Sequence, residues 1–201
     1  MQHPVGMTSQ NQGRQEWLTN SPADWISPGS DRSLRTRYRN NPPPAESGKV
    51  SIVDTDHIFG NKCKDHTWVW KSFLRGHNPI YMDRWTSERK GTNRELVRRA
   101  LGQTRTFAGR IDLAGTQVSS ELASTGYCLA VPDKEYLVYA PRGGKVKLDM
   151  RKAEGEFSVE WFEPKSGKSQ RGKGVRGGTE QTLESPFEND VVLYVRSIPR
   201  D

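Results

Sequence analysis

The hydrophobic pattern of the chain changes near Leu122, and this change constrains the fold more than any other feature. Before it, short apolar runs alternate with polar loops, a pattern that suits strands buried on both faces of a parallel sheet. After it, apolar residues recur at every second position, and turns rich in glycine and proline separate the runs. Short strands at regular spacing are typical of an antiparallel sandwich. The sequence therefore predicts an α/β domain over residues 1–114 and an all-β domain over residues 115–201.

The apolar runs of the first part are predicted to be strands, and they are His3–Thr8, Ala23–Ser27, Lys49–Asp54 and Asn78–Met82. A helix is expected over His66–Arg75, with Asp65 as its N-cap and Gly76 just beyond its end. Together with the flanking strands, this helix would form a βαβ unit. A second helix is predicted over Asn93–Leu113 from apolar residues at helical spacing.

Two earlier connections give poor helix signals. Residues 11–20 are polar, and Ser30–Gly48 contains three consecutive prolines. Because proline lacks an amide hydrogen and blocks the preceding turn, an extended loop is predicted for Ser30–Gly48.

The formal net charge of +7 raises the odds of a polyanionic partner. The sequence lacks recognisable nucleic-acid-binding motifs, so scattered surface cations are favoured over nucleic-acid binding by about three to one. No apolar run approaches the roughly 18 residues of a membrane span, so no membrane partner is expected. The first residues do not have the pattern of a signal peptide, and the localisation is left open.

The two cysteines, Cys63 and Cys128, have neither CxxC spacing nor a histidine at metal-ligand spacing. Two free thiols are the default expectation, and a single disulfide is the alternative for an exported protein.

The run KVSIVDTDHIFG contains the strongest candidate for chemistry. Its apolar strand ends in Asp54, Asp56 and His57, and strand ends of this kind face the active site in a (β/α)₈ barrel. Two carboxylates one residue apart on a strand point to the same side, so Asp54 and Asp56 are candidates for a nucleophile or an acid. The alternative is that one accepts loop amide hydrogens and the other binds a loop arginine. A metal site is also conceivable, but the missing further ligands argue against it.

Other residues near these strands are candidates for substrate binding. Asp83 ends the next strand at the equivalent level, and His57 follows Asp56 directly. Trp25 and Trp85 offer rings that can stack on sugar faces, although tryptophan is equally suited to packing.

Several segments, taken together, carry a family resemblance. HPVGMT, ADWISP, VDTDHIFG, WVWKSFLRGHNPIYMD and RRALGQTRTFAGRIDL resemble the second half of barrel glycoside hydrolases related to apiosidase-type enzymes. The later segments LASTGYCLAVPDKEYLVYAPRGGKVKLDM, VEWFEPKSGK and VVLYV resemble the C-terminal sandwich of that family, which is named a collagen-binding domain.

The resemblance implies the carboxyl-terminal half of a (β/α)₈ barrel followed by an antiparallel β-sandwich, with two catalytic carboxylates and no cofactor. One carboxylate would follow the fourth strand and the other the seventh. VDTDH is similar to the seventh, and Asp56 stands where the family usually has glutamate. The fourth strand has no counterpart in this sequence.

Two functions are therefore expected. The first is a fragment of a glycoside hydrolase-like protein that acts on a polysaccharide and is inactive alone, because a glycosidase needs two carboxyl groups. The alternative is a non-catalytic module that binds carbohydrate or protein through the sandwich. The unpaired strand edges of an open half-barrel would also favour self-association.

Overall fold

The computed structural model describes residues 3–8, 15–29, 32–45, 47–59, 63–82 and 94–199. The chain divides into two compact units, Met1–Thr104 and Arg105–Asp201. The sequence-based division at residues 114 and 115 stays a prediction. Within the described part of the chain, no helix combines the length and the apolar character needed to cross a membrane.

The first unit contains a four-stranded parallel sheet whose strands lie side by side in chain order. The strands are β1 (Gly6–Thr8), β2 (Trp25–Ser27), β3 (Val50–Asp54) and β4 (His77–Ile80). All four fall inside or beside the apolar runs of the sequence. Since parallel strands have one direction, their carboxyl ends meet at one edge of the sheet.

Five helices accompany these strands in the described residues. They are α1 (Gln15–Thr19), α2 (Arg32–Asn40), α3 (Thr55–Phe59), α4 (His66–Leu74) and α5 (Arg94–Ala108). The expected limits of α4 are confirmed: Asp65 accepts a hydrogen bond from the amide of Thr67 at 2.9 Å, and Gly76 has a φ of +79°. Such a φ suits a glycine beyond a helix C-terminus.

The expectation of an extended loop over Ser30–Gly48 is wrong for its first part, where α2 forms. The helix ends at Asn40, so the prolines at positions 42–44 follow it and block none of its hydrogen bonds. Tyr38 is buried, and its carbonyl oxygen accepts a hydrogen bond from the indole of Trp68 at 3.1 Å. Tertiary contacts therefore stabilise a helix whose own apolar signal is weak. The polar segment 11–20 likewise contains α1, which buries Leu18.

His77, at the start of β4, is a buried and neutral histidine. Its Nε2 lies 2.7 Å from the carbonyl oxygen of Pro43, which can only accept, so Nε2 carries the proton. Its Nδ1 then accepts the hydroxyl hydrogen of Ser51 at 2.8 Å. Burial lowers the pKa of His77 from 6.5 to about 4.

The second unit is all β after α5, apart from a 3₁₀ turn at Ser120–Leu122. Its large sheet is antiparallel and contains β5 (Gln117–Val118), β6 (Cys128–Val131), β7 (Glu135–Ala140), β9 (Glu156–Glu163), β10 (Lys168–Arg171), β11 (Val175–Arg176) and β13 (Val191–Ser197). A two-stranded antiparallel sheet pairs β8 (Lys145–Asp149) with β12 (Glu180–Glu184).

Side chains from both sheets of the second unit share one hydrophobic core. Val146 and Leu148 of β8 lie in the same buried cluster as residues of the large sheet. The residues predicted to be buried from the period-two pattern are all in it: Tyr136, Val138, Trp161, Leu193 and Val195. Cys63 in the first unit and Cys128 in the second are both buried and form no disulfide.

The outer face of the large sheet is covered as well. The ring of Phe107 contacts the rings of Phe162 and Tyr194, at centroid distances of 5.4 and 6.2 Å. Arg110 lies over Phe107 and Tyr194 and donates two hydrogen bonds to the carboxylate of Glu160, at 3.1 and 2.6 Å. This bidentate pair holds the pKa of Glu160 below its usual value.

We expect His77 to make folding stability depend on pH. Its folded pKa is below its unfolded pKa, so the unfolded chain takes up the proton first and stability falls as the pH drops below 6.5. The loss between about pH 7 and about pH 5 should be about 2 kcal/mol. Urea unfolding of the wild type and of His77→Gln, followed by tryptophan fluorescence, measures this slope. Equal slopes in the two proteins would contradict the assignment.

Candidate functional site

The candidate site lies at the carboxyl edge of the parallel sheet, where β3 passes directly into α3. Asp54 is the last residue of β3, whereas Asp56 lies in the first turn of α3. The expectation that strand alternation places both carboxylates on one side is therefore wrong, because the strand has already ended. The helix turn brings them together instead: one ligand atom from each of Asp54, Asp56 and His57 lies within 4.8 Å of the others.

Asp54 holds the edge together through both oxygens of its carboxyl group. Oδ1 accepts the backbone amide hydrogen of His57 at 2.9 Å, which is the geometry of an N-cap. Oδ2 accepts the hydroxyl hydrogen of Ser27, the last residue of β2, at 3.0 Å. Nδ1 of His57 is also 3.0 Å from Oδ2, but the geometry falls short of a hydrogen bond. Asp54 thus has the role of structural acceptor that the sequence left open for one of the two aspartates.

The pKa values of the two aspartates shift in opposite directions. Burial raises the pKa of Asp54, and its hydrogen bond to Asp56 raises it further. That same hydrogen bond lowers the pKa of Asp56, because it stabilises the ionised form of the acceptor. Asp56 is therefore the member of the pair that stays ionised as the pH falls.

The cluster has the donor set of a metal site but no more than three side chains. Two carboxylates and an imidazole are ligands that divalent cations accept. Both carboxyl groups would have to be ionised before both could bind an ion. The expectation of no metal and no cofactor stays a prediction.

Of the other predicted site residues that the structure describes, Trp25 does not join this cluster. Trp25 begins β2 and pairs with Gly6 and Val50, which lies at the opposite end of β3 from Asp54. Its ring covers Gly6: a Cβ there would be 1.9 Å from the indole. His57 lies in the cluster, with 35% of its side chain exposed. Asp83 and Trp85 lie outside the described residues.

Two polar residues of this edge were not identified from the sequence. Ser27 ends β2 and binds Asp54, and Thr55 accepts the amide hydrogen of Met82 at 2.8 Å. The signal was available, since Ser27 directly follows an apolar strand residue, as Asp54 does, and Thr55 directly follows Asp54. Other carboxylates of the unit have different contacts: Asp24 binds the amide of Val5, and Asp65 caps α4.

A cavity of about 310 Å³ also lies in the first unit, but away from this edge. It is lined by residues that include Tyr38, Ser51 and His77, and neither Asp54 nor Asp56 contributes to it. The carboxylate pair therefore does not line this cavity.

A comparison with protein-family models finds a similarity within the second unit. Residues 117–196 match the model described as "Putative collagen-binding domain of a collagenase". No curated protein matches the sequence.

Solved structures with a similar fold are glycoside hydrolases. One, named "Glycoside hydrolase", aligns over 96% of this chain and 53% of its own length, with a TM-score of 0.59 and 13% identity. A family 5 glycoside hydrolase from Bacteroides vulgatus aligns over 94% of this chain and 50% of its own length, with a TM-score of 0.51 and 12% identity. The chain thus has a mixed α/β, glycoside hydrolase-like structure, and it spans about half the length of these proteins.

The hydrogen bond between Asp54 and Asp56 can be tested by replacing Asp56. In Asp56→Asn, the neutral amide is a weaker acceptor than a carboxylate and carries no charge, so the pKa of Asp54 should fall relative to wild type. Carboxyl-carbon NMR titration measures this change, with Asp24→Asn as the control that removes a more distant carboxylate. An Asp54 pKa that is identical in wild type and Asp56→Asn would contradict this hydrogen bond.

Proposed function

We propose that this chain is the carboxyl-terminal part of a glycoside hydrolase-like protein that acts on a polysaccharide. In this proposal, the first unit is the second half of a (β/α)₈ barrel and the second unit is an appended β-sandwich. The observation that carries it is the cluster of Asp54, Asp56 and His57, which lies at the sheet edge where barrel enzymes hold their catalytic groups.

The partial barrel is supported by strand number and by length. A closed barrel of this type has about eight parallel strands, and the described residues of the first unit form four, in sequential order. The glycoside hydrolases of similar fold are about twice as long as the part that aligns, at 53% and 50% coverage. Both observations fit a fold of which this chain supplies one half.

Asp56 is the residue that we propose as the catalytic carboxylate. Its lowered pKa suits a nucleophile or a general base, whereas the raised pKa of Asp54 suits a positioning role. Asp54 also accepts hydrogen bonds from Ser27 and His57, so it fixes the turn that presents Asp56. His57, partly exposed beside the pair, is proposed to contact the substrate.

The two aspartates together can fill only one of the two roles in glycoside hydrolysis. An acid and a nucleophile flank the scissile bond at about 5 Å, and an acid and a base stand farther apart. Asp54 and Asp56 are hydrogen-bonded to each other, which leaves no room for a sugar between them. We therefore propose that the second carboxyl group belongs to the other half of the barrel.

A second candidate function is a binding module without catalysis. The match of residues 117–196 to a collagen-binding family model favours it. In this alternative, the second unit holds carbohydrate or protein, and the carboxylate pair of the first unit has only its structural role.

We expect this chain alone to bind polysaccharide without cleaving it. Aryl glycosides and plant polysaccharides would be incubated with the wild type and with Asp56→Asn, and released sugar measured. No turnover is expected from either protein, because one carboxyl group cannot supply both an acid and a nucleophile. Turnover by the wild type that disappears in Asp56→Asn would contradict the proposal that the second carboxyl group lies outside this chain, and it would establish a self-sufficient enzyme.

Binding separates the two candidate functions. Oligosaccharides should shift the amide NMR signals of Asp56 and His57 in the wild type if the first unit carries the substrate site. Shifts confined to residues 117–196 would instead support the binding-module alternative.

A further inference from the structure

A long groove in the second unit runs between the edges of its two sheets. One wall is the segment 170–176, which includes the end of β10 and all of β11, both paired with β9. The other wall is residues 181–184 of β12. The groove has a volume of about 680 Å³, and Val159 and Trp161 contribute to its floor. It is therefore large enough for an extended ligand rather than a single ion.

Positive charge is concentrated on one wall of this groove. The segment 164–178 contains five cationic residues and no acidic residue, and these are Lys165, Lys168, Arg171, Lys173 and Arg176. Within the described residues, Lys168, Arg171 and Lys173 form no salt bridge. The guanidinium of Arg176 approaches Glu156 only to 3.9 Å, and both side chains are largely exposed. Arg171 and Lys173 thus line the groove without a salt bridge inside the described part of the chain.

The acidic side chains of the opposite wall do not neutralise these cations. Glu184 is the acidic residue among those that line the groove, and it lies 4.0 Å from Lys145 on β8. Glu180, on the same strand, lies 3.7 Å from Lys147. Because the acids of β12 face their own cationic neighbours, the groove retains a net positive charge.

Neutral polar groups lie between these cations. Gln170, Gln181 and Thr182 line the groove. The indole nitrogen of Trp161 has no acceptor within the described residues. Gly172 lies directly against it, since a Cβ there would be 3.2 Å from Nε1. The missing side chain leaves this nitrogen uncovered by the strand.

We propose that this groove binds an anionic polysaccharide, with Arg171, Lys173 and Arg176 contacting its carboxylate or sulfate groups. Guanidinium groups recognise planar and tetrahedral oxyanions through paired hydrogen bonds, and the amide and hydroxyl side chains suit sugar hydroxyls. Trp161 is only 3% exposed, so it offers no ring face on which a nucleic-acid base could stack. An acidic peptide would match the charges but not the neutral polar groups. The proposal rests on the proposed action on polysaccharides and specifies their charge.

The test uses the full chain and compares charged polysaccharides with an uncharged one. Binding to dextran sulfate and to uncharged dextran is compared by calorimetry, with alginate as the carboxylate-bearing polymer. The wild type should bind a charged polymer and not dextran, and binding should weaken as salt is added. Binding of dextran sulfate alone identifies sulfate as the recognised group, binding of alginate alone identifies carboxylate, and either result supports the proposal.

Two triple variants decide whether the groove is responsible for binding the charged polymers. Arg171→Gln/Lys173→Gln/Arg176→Gln should bind about tenfold more weakly, because three exposed charge pairs are lost. The control, Lys134→Gln/Arg142→Gln/Lys152→Gln, removes the same charge from exposed positions of the same unit and should retain affinity. Circular dichroism verifies that both variants are folded.

Several outcomes would overturn the proposal that the groove binds an anionic polysaccharide. An equal loss in both triple variants would attribute binding to net charge alone. Tighter binding to polyglutamate or single-stranded DNA than to either charged polysaccharide would assign the groove to another macromolecule. Equal affinity for dextran and dextran sulfate would refute the anionic specificity while leaving the proposed polysaccharide function intact, so the two failures are distinguishable.

Discussion

The carboxyl group of Asp54 joins three elements of the first unit, and the geometry of its edge depends on that group. It ends β3, caps α3 through the amide of His57, and receives the hydroxyl of Ser27 from β2. These hydrogen bonds lower the pKa of Asp54, but burial and the hydrogen bond with Asp56 raise it above its ordinary value. A structural N-cap therefore also lowers the pKa of its neighbour, which is the basis of the proposed catalytic role.

The second unit depends on a different constraint, the packing of two sheets around one core. The large sheet has apolar residues on both faces of β7, where all six positions are buried. One face meets the core shared with β8, and Phe107 and Tyr194 lie on the opposite side of the sheet. Because central strands such as β7 are buried on both faces, ligands can reach this unit only at the sheet edges. The basic groove lies between the edges of the two sheets.

The sequence predicts strands better than connections. Apolar runs such as KVSIVD identify a buried strand because burial of both faces requires it, and β3 follows that run closely. Helix α2 was missed because its stability comes from the burial of Tyr38 and not from its own periodicity. The carboxylate pair was identified from the strand end, but its geometry was not. If β3 continued past Asp54, strand alternation would place Asp54 and Asp56 on the same face. Because β3 ends at Asp54, Asp56 lies in the first turn of α3 instead.

The cations of segment 164–178 also bear on how copies of the chain meet. Within it, β10 and β11 pair with β9 and with no other strand of the described sheet, so each has one side without a ladder partner. An exposed edge can pair with the same edge of another copy and so start aggregation. Here such a pairing would bring Arg171 and Lys173, which form no salt bridge within the described residues, close to the same cations of a second copy. The charge that suits the groove to a polyanion therefore also keeps this edge open to solvent.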